Sequence, residues 1–158
     1  MKISLICVGK IKEKFFTDAI NEYKKRLGRF CDFEITEIPD LPIPDNAGAS
    51  EKEKIKEREG EKILEKIKPG AYVVTLCIEG KTLSSEELAK TMLDATQTTS
   101  HIIFIIGGSL GLSDAVKEKS HLRLSFGRMT LPHQLMRVVL SEQVYRSFMI
   151  NSNTGYHK

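Results

Sequence analysis

The sequence predicts an α/β fold with a mostly parallel sheet, in one domain spanning residues 1–158. Three observations carry that expectation. Short segments rich in Ile, Val and Leu alternate with longer ones whose apolar residues recur at helical spacing. Ile102 to Ile106 is an unbroken apolar run, the pattern of a central strand covered on both faces. That run leads straight into Gly107-Gly108-Ser109-Leu110-Gly111, and glycines directly after a buried strand mark a turn at its carboxyl end.

In chain order, Ile3 to Val8 reads as a strand closed by Gly9. Phe15, Phe16, Ala19, Ile20, Tyr23 and Leu27 form a helical stripe ending at Gly28. Phe33, Ile35 and Ile38 alternate as a half-buried strand, and Pro39 to Gly48 reads as an exposed loop. From Glu51 to Lys68 the apolar residues Ile55, Ile63, Leu64 and Ile67 keep helical intervals while Glu and Lys interleave. With acids nearly balancing bases, that segment predicts a solvated amphipathic helix and not a nucleic-acid-binding arm. Pro69-Gly70 stops it, and Tyr72 to Leu76 is the next strand. Ser84, with Glu87 three residues on, has capping-box spacing and opens a helix whose Leu88, Met92 and Leu93 are expected to face inward. His101 to Ile106 follows, then a short strand at Leu122 and Leu124. Last comes a long helix from Pro132 to Ile150, with the proline in its first turn.

Composition excludes several classes. With 41% hydrophobic and 28% charged residues, the chain has too much apolar content for a disordered protein. Its longest apolar run is far short of the roughly 20 residues that cross a bilayer, and the apolar start breaks at Gly9-Lys10, too soon for a signal peptide. Cysteines at 7, 31 and 77, an odd number without CxxC spacing, fit neither a disulfide framework nor a zinc ribbon. A soluble protein of a reducing compartment, the cytoplasm, without membrane attachment is expected. No HExxH, paired Cys/His spacing or acidic metal loop occurs, so no metal is expected, and no GxSxG supports a serine hydrolase.

Charge is unevenly spread. The first 120 residues carry 19 bases and 20 acids, whereas the last 38 carry Arg123, Arg128, Arg137, Arg146 and Lys158 against Glu142 alone. A basic end on a neutral body points to a phosphate-bearing partner or to a solvated surface with scattered ion pairs.

Three stretches bear chemistry. The Gly107–Asp114 loop matches neither the dinucleotide fingerprint nor the phosphate loop. It reads equally as a ligand-cradling turn and as a tight strand-to-helix connection capped by Ser113. The Leu124–Gln134 segment can hold a flat ring between apolar side chains while its backbone reads the ring edge. His133 and Gln134 begin the last helix there, His133 as a packing or capping residue or as a contact for a polar ligand. The last helix is apolar on more than one side, through Leu135, Met136, Val138, Val139, Leu140, Val144, Tyr145, Phe148 and Met149, more than one core-facing stripe needs. The surplus points to a partner helix, most simply from a second copy. Tyr156, His157 and Lys158 then form either a frayed end or a reactive cluster.

In order, VGK near the start, VTLCIEGK (Val74 to Lys81), FIIGGSLGLS (Phe104 to Ser113), SFGRMTLPHQLMRVVLSEQVYRSF (Ser125 to Phe148) and the terminal YHK span essentially the whole chain. Together they resemble the RlmH family of SPOUT-class ribosomal RNA methyltransferases. The resemblance implies an α/β-knot fold with a C-terminal trefoil knot, a rare exception to unknotted topology. It implies a homodimer that binds S-adenosyl-L-methionine and methylates N3 of a pseudouridine in 23S ribosomal RNA within the assembled ribosome. Carried over by motif, the cofactor contacts fall at Leu76, Gly107, Phe126, Gly127, Arg128, Met129, Thr130 and Leu131. Ser109-Leu110 fills a variable pair inside the glycine motif, and Asn153-Thr154-Gly155 precedes the tail at variable positions.

The chemistry so implied needs positioning of two reactants and stabilisation of charge on a uracil ring. His157, with Tyr156 and Lys158, is expected to reach across the dimer to the partner's cofactor site. Arg137, Arg128 and His133 are further candidates for substrate contacts. Two rivals remain: a non-catalytic ribosome-binding or assembly module of the same fold, and a related knotted transfer RNA methyltransferase.

Overall fold

A computed structural model of the chain describes residues 1–157. Five strands are present among them: β1 (Lys2–Val8), β2 (Asp32–Ile38), β3 (Tyr72–Thr82), β4 (His101–Ile106) and β5 (Leu122–Ser125). They form one sheet in the order β2-β1-β4-β3-β5, with every pairing parallel. The helices are α1 (Lys14–Leu27), α2 (Ala49–Lys66), α3 (Ser85–Ala95), α4 (Asp114–Glu118) and α5 (His133–Asn151).

Parallel strands require helical crossovers, so both faces of the sheet are covered, and the strand residues divide by parity. Ile102, Phe104 and Ile106 of β4 pack with Leu27, Met92, Leu140 and Val144 of α1, α3 and α5. Ile103 and Ile105 pack the other way, with Ile63 and Val116 of α2 and α4. Ile102 to Ile105 are fully buried, as the unbroken apolar run requires.

Ser84 caps α3 as expected. Its Oγ accepts from Glu87 N–H at 3.1 Å, and the Glu87 carboxylate accepts from Ser84 N–H at 2.7 Å. Leu93 does not face inward: it is 48% exposed, because Leu88, Ala89, Met92 and Ala95 already complete the buried stripe. Phe15 likewise leaves the α1 stripe, at 64% exposed, while Ile20 and Leu27 hold the core. Pro132 is the N-cap of α5 and not a residue of its first turn, since its ψ of 138° is extended. Ile67 caps α2 from outside, where its extended backbone turns toward Pro69. The β3 strand outruns its apolar segment, Tyr72 to Leu76, because a bulge lets it pair β5 twice. No helix among the described residues is long and apolar enough to cross a membrane.

Candidate active site

The carboxyl ends of β3, β4 and β5 and the start of α5 enclose a cavity of about 390 Å³. Its walls are apolar where the strands end, at Leu76, Ile106 and Leu124, and where α5 begins, at Leu131 and Met136. Two glycine-bearing loops complete it.

The first loop follows β4. A Cβ on Gly107 would lie 2.8 Å from the Gly111 carbonyl carbon, so the two arms of the turn are pressed together and only glycine fits. Gly111 N–H donates to the Gly108 carbonyl at 3.0 Å and fixes the turn. Ser113 then caps the five-residue α4, its Oγ accepting from Val116 N–H at 3.4 Å. The loop is a capped strand-to-helix connection, and it lines the cavity.

The second loop follows β5. Ser125 Oγ donates to the Ile78 carbonyl at 2.9 Å and accepts from Gly127 N–H at 3.1 Å. Gly127 has φ +109°, which a side chain would strain. The loop carries Phe126 and Met129 to the cavity mouth, where Met129 is 83% exposed. Opposite stands the β3 bulge, with Leu76 and Lys81 both opposite Leu124 and residues 77–80 looped out between them. The bulge sets Ile78, 61% exposed, and Glu79 on the rim. Glu79 is held ionised, its carboxyl below the usual range, by a hydrogen bond from Lys117. Large apolar side chains left in solvent around a cavity mark a surface shaped to be covered.

His133, the first residue of α5, lines the same cavity. Burial, and then the positive charge of Arg137, hold its imidazole below the usual value, so it is neutral at pH 7. Arg137 itself is 1% exposed. Its guanidinium donates to Glu37 Oε2 at 2.8 Å and to the carbonyls of Val8 and Gly9 at 3.2 and 2.7 Å. It is a buried tie between α5 and the ends of β1 and β2.

Of the residues expected to hold a cofactor, Leu76, Gly107, Phe126, Gly127, Met129, Thr130 and Leu131 all line the cavity. Arg128 sits exposed on the same loop, outside the cavity wall. Tyr156 and His157 lie elsewhere, folded along their own chain's α5 and α3. Tyr156 packs edge-on against Tyr145 at 5.1 Å under the Arg146 guanidinium. Burial, and then the Glu142 charge, raise the Tyr156 phenol above its ordinary value. His157 bonds Glu86 at 2.6 Å and Arg146 at 3.1 Å. Arg146 is ten residues beyond Met136, about 15 Å along the helix axis, so this tail does not touch its own chain's cavity. Lys158 lies outside the described residues.

Sequence reading missed the rim residues Ile78, Glu79 and Lys117. The acidic break Glu79-Gly80 in an apolar strand was their one signal. The cysteines are free and buried, and the Cys7 thiol, pushed up to about 12 chiefly by burial, is inert. Among the described residues no group of three or more His, Cys, Asp or Glu is placed to hold a metal.

Residues 1–157 match the family described as "Predicted SPOUT methyltransferase". Proteins named "Ribosomal RNA large subunit methyltransferase H" from Streptococcus uberis and Ligilactobacillus salivarius are each 56% identical to the chain. One of the same name from Clostridioides difficile is 55% identical, and all three align over the full length of both chains. A solved structure described as a probable methylase family protein from Haemophilus influenzae Rd KW20 superposes with a TM-score of 0.56. It covers 99% of this chain and 70% of that one at 11% identity, a likeness of fold. An all-parallel sheet with glycine-bearing loops around a cavity at its carboxyl edge thus comes with a full-length family match, and the chain belongs to the SPOUT methyltransferase family.

Proposed function

We propose that the chain is an S-adenosyl-L-methionine-dependent methyltransferase acting at N3 of a pseudouridine in 23S ribosomal RNA. In this reading it acts as a cytoplasmic homodimer on the assembled ribosome. The observation that carries the reading is the apolar cavity roofed by the Gly107–Gly111 and Phe126–Leu131 loops. Its residues fit the donor. Leu76, Leu131 and Met136 offer flat apolar walls for a purine ring, and the tight turn at Gly107 and the strained one at Gly127 bring backbone close without side chains. A neutral His133 adds no positive charge of its own to the wall beside a sulfonium.

When bound, S-adenosyl-L-methionine supplies an electrophilic methyl group. In the transfer a C–S bond breaks, an N–C bond forms at N3, and the imide proton leaves to a base or to water. The chain's own task is to align the two partners and exclude water. Apolar lip residues such as Met129 and Phe126 serve the exclusion once a partner covers them.

Dimerisation is supported by α5. Leu140 and Val144 are buried in the core and Val139, Phe148 and Met149 pack against it in part, yet Leu135, Val138 and Ile150 also remain partly exposed. Because Tyr156 and His157 stand about three turns of helix from their own chain's cavity, the tail serves a cavity only if it serves the partner's. Lys158 extends that tail. The single-domain organisation over 1–158 and the trefoil threading belong to the same reading.

The test is methyl transfer from labelled S-adenosyl-L-methionine to ribosomes purified from cells lacking the modification. One methyl per large subunit, mapped to N3 of one pseudouridine, is expected, with little transfer to protein-free RNA. Labelling of transfer RNA instead, or donor binding without any transfer, would favour the rival enzyme or the assembly module.

A further inference from the structure

A second cavity, of about 420 Å³, adjoins the first and shares Gly108, Ser109 and His133 with it. It opens at the carboxyl ends of β1 and β4. There the strand order reverses: the chain runs from β1 outward to β2, then crosses to β3 on the other side. In open α/β sheets that reversal leaves a crevice where ligands bind.

Its lining mixes charged groups with the apolar Val8, Leu41 and Ile43, and its walls are built. The β1–α1 connection is stitched in place from three sides. Arg137 donates to the Val8 and Gly9 carbonyls, Glu37 accepts from Ile11 N–H at 3.1 Å, and Gln134 Oε1 accepts from Lys12 N–H at 2.9 Å. The exposed Lys10 and Lys12 side chains stand at the rim. Arg137 lines the cavity, and its Nε is the one buried side-chain nitrogen or oxygen among the described residues without a hydrogen-bond partner. Glu59, 5% exposed on α2, spends Oε2 on Leu41 N–H at 3.1 Å. Its Oε1 stands beside Gly108, 3.4 Å from where a Cβ would be, and makes no hydrogen bond within the protein. That oxygen is open to the cavity, where a ligand's donor can reach it.

We propose that this cavity seats the acceptor nucleotide, a pyrimidine nucleotide of RNA turned out of its stack. Its base N3–H meets Glu59 Oε1, which takes that proton and leaves N3 free to turn to the methyl group, and its phosphates meet Lys10 and Lys12. The proposal rests on the apolar cavity holding the methyl donor, because the two cavities share Gly108, Ser109 and His133 and donor and acceptor meet at that junction. The carboxylate favours a base that presents N–H on its pairing edge, as uracil does, over cytosine, which presents an acceptor there.

Glu59→Gln is the discriminating variant. One amide atom, the oxygen, still accepts from Leu41 N–H. The other becomes an NH₂ donor facing the ligand's N–H. Burial raises the Glu59 carboxyl above its usual range, so the uncharged residue folds at least as well. The variant is expected to hold its melting temperature and donor affinity while kcat/KM for ribosomes falls at least about tenfold, equivalent to 1.4 kcal/mol. Lys10→Ala/Lys12→Ala is expected to raise KM, and Lys52→Ala/Lys54→Ala on the solvent face of α2 to leave it within about twofold, because surface charge there lies off the path. A titration with uridine 5′-monophosphate, followed by NMR, should move the Gly9, Leu41 and Gly108 amides, and cytidine 5′-monophosphate should move them less. Wild-type transfer efficiency in Glu59→Gln and the double lysine variant, or nucleotide shifts that avoid this cavity, would overturn the proposal. Absence of donor binding in the wild type would instead sink the methyl-donor reading, which the nucleotide titration does not depend on.

Discussion

Two cavities share Gly108, Ser109 and His133, and they differ in the charge their linings carry. The one at β3, β4 and β5 is made of apolar strand ends and glycine-bearing loops, shaped mainly by backbone. The one at β1 and β4 sets charged and amide side chains from α2, α5 and the β1–α1 connection among apolar residues of the β2–α2 connection. Backbone-shaped apolar walls suit a flat, invariant molecule whose outline never changes. A polar chamber with a spare acceptor and a lysine rim suits a base on a phosphate chain, admitted and released each turnover. The difference teaches where each substitution should register.

Gly107→Val should have the largest effect, because its Cβ meets Gly111 backbone that cannot yield. Donor affinity is expected to fall on the order of a hundredfold, about 2.7 kcal/mol, by calorimetry. Donor affinity unchanged in this variant would break the assignment of the apolar cavity. Arg137→Met comes next. It strips donors from Glu37 and from two carbonyls, and should cost about 2–4 kcal/mol in urea unfolding. The partial exposure of Glu37 keeps the cost below that of a fully buried broken pair.

Deleting residues 156–158 should reduce transfer to ribosomes at least about tenfold. The edge-on ring and the His157 contacts it removes lie about 15 Å from the cavity, so donor affinity and dimer mass should hold. Full turnover in that truncation would take the tail out of the reaction. The smallest effect concerns pH. His133 and His101 both sit below their ordinary value in the folded chain, each chiefly through burial. The unfolded state therefore binds more protons below about pH 6.5, and stability present above that pH is lost as pH falls. Melting temperatures from pH 7.5 to 5.5 should decline, and less so in His133→Gln.

The sheet was legible because parallel strands covered on both faces leave unbroken apolar runs, as Ile102 to Ile106 does. The apolar cavity's position was legible because glycines directly after buried strands mark turns at their carboxyl ends. Two inward assignments went astray at helix edges. Leu93 and Phe15 satisfy helical spacing, yet neighbours fill the core first and leave them exposed. The β3 bulge was missed because its one signal, the Glu79-Gly80 break, reads as the end of a strand and not as a slip in its register. The polar cavity was illegible for a different reason: Glu59 looks like any surface acid in a Glu/Lys helix. Only the packing of α2 beside the Gly108 turn buries it. Arg137, expected as a substrate contact, is buried in a tie that fixes the β1–α1 connection, a role its charge did not signal.

A crystal structure with bound S-adenosyl-L-methionine tests the two-cavity account most directly. The account predicts the adenosine between Leu76, Leu131 and Met136, with the methyl group directed at the Gly108–Ser109–His133 wall. A donor lodged against Glu59 and Lys10, or one whose methyl points away from that wall, would contradict it.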